Sequence, residues 1–464
     1  MLRKILSACS ALPLLFPHLA MAASDADLAK ISAEIQQLKQ SYEARIQALE
    51  ARLQQAESTA KAAQSTAAKA DEKASQVAAA PQPAVSSGAN AFNPGISLIL
   101  SGTYANLSQD PDKYRITGFI PGGEIGPGKR GFSLAESELG VYANIDPNFY
   151  GGLNLAMASD NSVSVEEAFI QTIGLSQGFT LKAGRFFSGI GYLNEQHAHV
   201  WDFADNPLAY QAFLGTQLGQ DGVQVKWLAP TETFLELGAE VGRGANFPGT
   251  DRNKNGAGSG AVFGHVGGDV GGDVGVSHSW RAGLSYLRTR PQSREYDETN
   301  LAGGAVKNAF SGSSKLWIGD FVWKWAPEGN TANTSFKLQG EYFRRQEDGR
   351  LTYDTESTAR LDSYSSSQSG GYLQGVYQFL PRWRVGLRRD QLDTGNVDYG
   401  LNNASLARPA YRPSKNSLMF DYNPSEFSRI RLQVAQDKSR QGVTDNQLFL
   451  QYQMSLGAHG AHQF

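Results

Sequence analysis

From Ile96 onward, apolar and polar side chains alternate with a period of two, in short runs divided by turn clusters. The last run shows the pattern plainly. Leu448, Leu450, Tyr452, Met454, Leu456 and Ala458 fall on one parity, while Phe449, Gln451, Gln453, Ser455 and Gly457 fall on the other. The chain closes on an aromatic, Phe464. A period of two puts each set on its own face of a β-strand. Here one face suits hydrocarbon and the other suits water, as in a strand of a membrane barrel. The pattern predicts strands near 96–107, 131–144, 149–158, 163–173, 179–186, 219–228, 233–242 and 260–270. It predicts eight more near 275–287, 314–325, 334–344, 369–380, 382–391, 415–423, 427–437 and 446–458.

The connections sort into two kinds. Ile145-Asp146-Pro147-Asn148, Ala229-Pro230-Thr231-Glu232, Leu380-Pro381-Arg382 and Asn423-Pro424-Ser425-Glu426 are tight turns. They alternate with long stretches at 187–218, 243–259, 288–313, 345–368 and 392–414. Short turns at one end and long loops at the other are the mark of an outer-membrane barrel. About 16 antiparallel strands is an even number, so both chain ends fall on the short-turn, periplasmic side. Trp317, Phe321, Trp323 and Trp325 share a parity, as do Leu418, Phe420 and Tyr422. Trp325, Trp383 and Tyr422 stand beside short turns, where an interfacial aromatic girdle belongs. The expected fold class is an all-β transmembrane β-barrel with an N-terminal α-helical coiled coil.

The coiled coil is read over 23–80, where the period changes. Leu28, Ile31, Ile35, Leu38 and Tyr42 step by three and four residues; the seam slips once at Ile46 and resumes from Leu49 to Val77. A narrow seam of this kind buries itself against copies of the same helix, and a homotrimer is the expected assembly. Residues 1–22 read as a secretory signal: Arg3 and Lys4, an apolar core, then Ala20-Met21-Ala22. Residues 81–95, with Pro81, Pro83 and Asn93-Pro94-Gly95, read as a linker before a barrel over 96–464. The single cysteine, Cys9, falls within the signal, which leaves no disulfide and no cysteine metal site. Fifty glycines, with 7 Trp, 18 Tyr and 23 Phe, suit many strands and turns. No apolar run beyond the signal is long enough for a spanning helix. A net charge of −3 without a basic cluster argues against nucleic acid.

Opposite the apolar positions lie charges, which must face inward because a charge against lipid is costly. Glu136 and Glu138 share a parity, as do Glu236 and Glu240, Asp320 and Lys324, and Lys337, Gln339 and Glu341. Toward the C-terminus come Arg384 and Arg388, then Arg429 and Arg431. With Lys337 these form a candidate cationic row lining the pore, and guanidinium forks suit phosphate or carboxylate. The stretch 187–218 carries aromatic and apolar residues that a solvated loop would avoid, so it is expected to fold into the barrel as a constriction. Its polar residues are Glu195, His197, His199, Asp202 and Asp205. His-x-His beside carboxylates has the donors for a divalent ion, although hydrogen-bonded loop histidines have the same appearance. Asp251-Arg252-Asn253-Lys254-Asn255-Gly256 matches half of a calcium loop, but Val262 stands where the bidentate glutamate belongs. No catalytic motif or phosphate-binding glycine loop is present, so neither enzyme activity nor a cofactor is expected.

With these parts assembled, the chain resembles the phosphate-selective porin (O/P-type) superfamily. It is particularly similar to the trimeric porins of that group with a periplasmic coiled coil, such as the dicarboxylate porins, and to a siderophore-porin branch. GFSLAESELGVYANIDPNFYGGLNLAM, LKAGRFFSGIGYLNEQHAHVWDFADNP and the ending SLGAHGAHQF carry the resemblance. It implies the porin fold but not the substrate; the expected function is passive diffusion of small hydrophilic solutes, with a modest preference for anions such as phosphate or carboxylates from Arg384, Arg388, Arg429 and Arg431. A phosphate-selective member would show a dense Lys/Arg ladder; this lumen mixes acids and bases. Two other expectations compete with it: selective uptake of a metal ion or siderophore, with Glu195, His197 and His199 recognising it, and a structural envelope tether.

Overall fold

The computed structural model describes residues 94–457, apart from 124, 271–275 and 328, together with residue 36. The expected signal, coiled coil, most of the linker and residues 458–464 lie outside the described residues. The chain divides into two units at Ala89/Asn90, and the fold below is that of the second.

Eighteen strand segments form one sheet. They are β1 (Gly95–Leu107), β2 (Gly131–Leu134), β3 (Ser137–Asn144), β4 (Phe149–Met157), β5 (Val163–Thr172) and β6 (Phe179–Phe187). Next come β7 (Gly219–Leu228), β8 (Phe234–Gly242), β9 (Ser259–Asp269), β10 (Ser277–Thr289), β11 (Arg294–Thr299) and β12 (Ala305–Ala326). The last are β13 (Ser335–Tyr353), β14 (Arg360–Leu380), β15 (Trp383–Asp398), β16 (Ser414–Ser425), β17 (Ser428–Lys438) and β18 (Asp445–Gly457). Each pairs antiparallel with its neighbours, and β1 pairs with β18 from Ser97↔Gly457 to Leu107↔Gln447, which closes the ring. The segments β2 and β3 both lie along β1, and β10 and β11 both lie along β12. Each of these pairs makes one interrupted stave, so the barrel has sixteen. Closure leaves no strand edge unsatisfied, which is the condition for a sheet to enter hydrocarbon.

Alternation sorts the side chains as the sequence pattern requires. Leu153, Val225, Leu284, Phe321, Leu387 and Leu432 are exposed on the outside. Their neighbours Asn154, Gln224, Ser285, Asp320, Arg388 and Gln433 are buried within. An outward apolar belt of this extent on a soluble protein would be an aggregation surface. Around a polar interior it is a lipid face, and the fold is a membrane-spanning β-barrel. Trp383 and Tyr422 are register partners with ring centroids 4.5 Å apart beside the short turns.

Two predicted loops prove to be largely strand. The stretches 288–313 and 345–368 mostly extend β10–β14, so β12, β13 and β14 reach 22, 19 and 21 residues, whereas 392–414 is strand only over 392–398 and at Ser414. A strand of that length, at about 3.3 Å per residue, far outruns a hydrocarbon core of about 30 Å. Beyond the bilayer the alternation reverses. On β13 the outward row passes from Phe336, Leu338 and Tyr342 to Arg344, Gln346, Asp348 and Arg350. The inward row passes from Lys337, Gln339 and Glu341 to Phe343, Leu351 and Tyr353, the last three buried, with the buried charges Arg345 and Glu347 between them and Glu347 paired to Arg294 at 2.8 Å. Water now lies outside and a packed core inside, including Phe310, Leu351, Tyr353 and Tyr364. The shared parity of Glu136 and Glu138 also fails. The break between β2 and β3 shifts the pleat, leaving Glu136 exposed and Glu138 buried in the lumen.

Candidate functional site

Between β6 and β7 the chain turns into the barrel. Its apolar residues pack there because the alternatives are lipid and water, and a compact segment satisfies its own backbone more readily inside. A seven-residue helix, Leu208–Leu214, is buried along its whole length and ends on Gly215 in the left-handed region at φ 67°. Ile190, Leu208, Tyr210, Phe213 and Leu214 pack on Phe263, Leu316, Ile318, Phe343 and Tyr372 of the inner wall. Ile116 and Phe119, from the connection between β1 and β2, join the same core. The long-loop half of the lumen is therefore filled with side chains.

Wall residues receive the segment's polar groups one by one. Glu341 accepts from the backbone N–H of Tyr192 at 3.0 Å and of Leu193 at 3.1 Å, and from the hydroxyls of Tyr210 and Tyr372. Gly191, at φ 69°, makes that approach possible, since a Cβ there would stand 2.4 Å from Glu341 Oε2. Glu240 accepts from Ser188 Oγ at 2.6 Å and Gly189 N at 2.7 Å, and Asp390 accepts from Leu208 N at 3.0 Å.

The residues expected to line the pore and those expected in the constriction prove to be partners. Asp202 pairs with Lys337 and, at 3.2 Å, with Arg384. Asp205 pairs with Arg388 at 2.8 Å and Lys415 at 2.6 Å. Arg431 donates to the Trp201 carbonyl at 2.8 Å, and Arg429 to the His199 carbonyl at 2.7 Å. Burial alone would raise the Asp202 and Asp205 carboxyls. The adjacent cations (Lys337 and Arg384, then Arg388 and Lys415) hold both well below the usual carboxylate range instead. Glu195 is separated from the histidines: it binds Lys226 at 2.7 Å, and despite the opposing effect of burial its pKa falls to about 2.

His197 and His199 meet a different wall. His197 Nδ1 lies 3.2 Å from both Glu138 and Glu166, and its Nε2 lies 3.1 Å from Glu167. His199 Nδ1 lies 2.9 Å from Glu138. Burial disfavours charge on His197, but the three carboxylates override it and hold the imidazole well above its ordinary pKa. Glu166 and Glu167 are neighbours in sequence yet both face inward. A bulge on β5 makes this possible: Glu167 pairs with Asn154 and Val165 with Leu155, leaving Glu166 as the extra residue. Sequence reading passed over this pair. Two adjacent glutamates inside a spanning strand are themselves the signal, because a regular strand would push one into lipid. The half calcium loop is an ordinary turn, with Asp251 held by Arg243 at 2.7 Å and by the Asn253 N–H at 3.0 Å.

Below the inserted segment a cavity of about 1160 Å³ occupies the short-turn half of the lumen. Residues beside the short turns, such as Gly178, Leu228, Gln378 and Ser428, line its mouth. Tyr192, His197, Val200 and Asp202 form part of its lining from the inserted segment.

Fold and site together define a membrane-spanning barrel with a chain segment folded into its lumen. The chain belongs to the same family as an uncharacterized protein of Aquifex aeolicus (strain VF5), 33% identical over 396 residues, covering 81% of this chain and 80% of the relative. No family model matches. Among solved structures, the loop L8 deletion mutant of OmpT from Vibrio cholerae aligns with a TM-score of 0.48 at 10% identity, over 78% of this chain and 99% of that one. The anion-selective porin from Comamonas acidovorans aligns at 0.47 and 10%, with the same coverage. The outer membrane channel DcaP of Acinetobacter baumannii aligns at 0.43 and 13%, over 78% and 97%. Likenesses this distant carry no functional argument.

Proposed function

We propose that the chain is an outer-membrane channel for small hydrophilic solutes, with segment 188–218 as its constriction. The observation that carries this reading is a closed, lipid-faced barrel holding a charged cavity with that segment across its inner end. Seven Lys and Arg and six Asp and Glu line the cavity, a balance that supports only weak anion preference. In this reading Lys337, Arg384 and Arg388 act first as anchors of the constriction, because loop carboxylates already occupy them. Export by residues 1–22 and trimerisation through the seam of 23–80 complete the proposal, resting on sequence pattern. The coil would then lie in the periplasm.

Reconstitution into planar bilayers tests it. Small single-channel steps with a reversal potential on the anion side are expected. Absence of current from folded protein would remove the channel and favour the tether. Cation preference that persists when Arg384 and Arg429 become glutamine would remove the anion preference.

A further inference from the structure

The Glu138, Glu166, Glu167, His197 and His199 cluster differs from the salt-bridged anchors of the inserted segment. The anchoring carboxylates Asp202, Asp205 and Glu195 each meet Lys or Arg. Glu138, Glu166 and Glu167 form ion pairs only with the two histidines among the described residues. Three carboxylates against two imidazoles leave net negative charge even with both rings protonated. The His197 ring faces three carboxylates, with Asn154 Nδ2 3.0 Å from its Nε2 and the Phe187 N–H donating to Glu167 at 3.2 Å.

We propose that this cluster binds a divalent transition-metal ion of the zinc class, with His197, Glu138 and Glu166 as its protein ligands. One donor atom from each lies within 4.8 Å of the others, and His197 Nδ1 is 3.2 Å from both carboxylate oxygens. Ligands of a tetrahedral ion with bonds of about 2.0–2.1 Å stand about 3.3 Å apart, which both His197–carboxylate separations already match. Mixed imidazole and carboxylate donors favour zinc over calcium or magnesium, which take oxygen alone. The ligands come from β3, the β5 bulge and the inserted segment. Glu138 and His197 line the cavity, so an ion reaches them from the short-turn side and a fourth ligand position opens toward solvent. Bound there, the ion ties the inserted segment to the wall away from the Asp205 anchor.

The test uses full-length protein in detergent, stripped with chelator and titrated with Zn²⁺ against a chromophoric competitor. Saturation at one ion per chain is expected, with tetrahedral visible absorption when Co²⁺ replaces zinc. Glu166→Gln and His197→Gln should each weaken binding roughly tenfold or more, and Asp251→Asn should not change it. Heat-modifiable gel mobility checks each fold, and Glu166→Gln keeps the side-chain shape if the histidine variant misfolds. Lack of saturable binding at micromolar zinc, or unchanged binding in a folded Glu166→Gln or His197→Gln variant, overturns the site. Binding is read without current, so metal-free conductance separates this outcome from that of the channel reading.

Discussion

The Arg388 guanidinium reaches the Asp205 carboxylate at 2.8 Å and its carbonyl oxygen at the same distance, across 183 residues of sequence. Two contacts from one side chain fix both the position and the direction of the inserted segment. Asp390 braces the same guanidinium at 3.0 Å. Arg388→Gln should leave Asp205 buried beside a single cation, Lys415. Breaking one side of a buried pair costs on the order of 3–5 kcal/mol. A lower thermal midpoint and larger, noisier single-channel steps are expected, read by melting and bilayer recording.

Gly191 should tolerate no side chain. Alanine there adds left-handed backbone strain of about 1–3 kcal/mol and drives Cβ into Glu341. Faster proteolysis within 188–218 is the expected signature. Equal protection in Gly191→Ala would show that Glu341 does not seat the segment.

Acid should release the Glu195 tether late. Its folded pKa of about 2 lies below the ordinary value of about 4.3. The pair's stabilisation is therefore complete above that ordinary value and fades as pH falls toward 2. Melting curves of wild type and Glu195→Gln should differ by a constant amount from pH 8 to 5 and converge near pH 2.

Leu432 faces outward midway along the apolar row Ile430, Leu432 and Val434. Leu432→Lys should cost about 2–4 kcal/mol, as a charge near the bilayer midplane does. The same change at Gln436, past the end of that row, should be close to neutral. Folding yield into lipid vesicles separates the two.

The strands in the bilayer were legible because hydrocarbon outside and water inside impose one rule on alternate residues. That rule places Leu448, Leu450 and Tyr452 outward and Gln447 and Phe449 inward. It misreads the far half of β13, where Phe343, Leu351 and Tyr353 pack inward and Arg344 and Arg350 face outward, although the buried Arg345 and Glu347 still point inward. The pattern itself remained regular; only the surroundings changed.

By itself, the sequence determined the number of staves, their facing and the inward turn of 187–218, because each follows from local periodicity or from an apolar surplus that water would not accept. Tertiary structure alone decided which charge meets which. Arg388 and Asp205, or His197 and Glu166, come together only after the sheet closes and a bulge turns one side chain. Pairing across a closed lumen depends on distances through space, and no spacing along the chain encodes them.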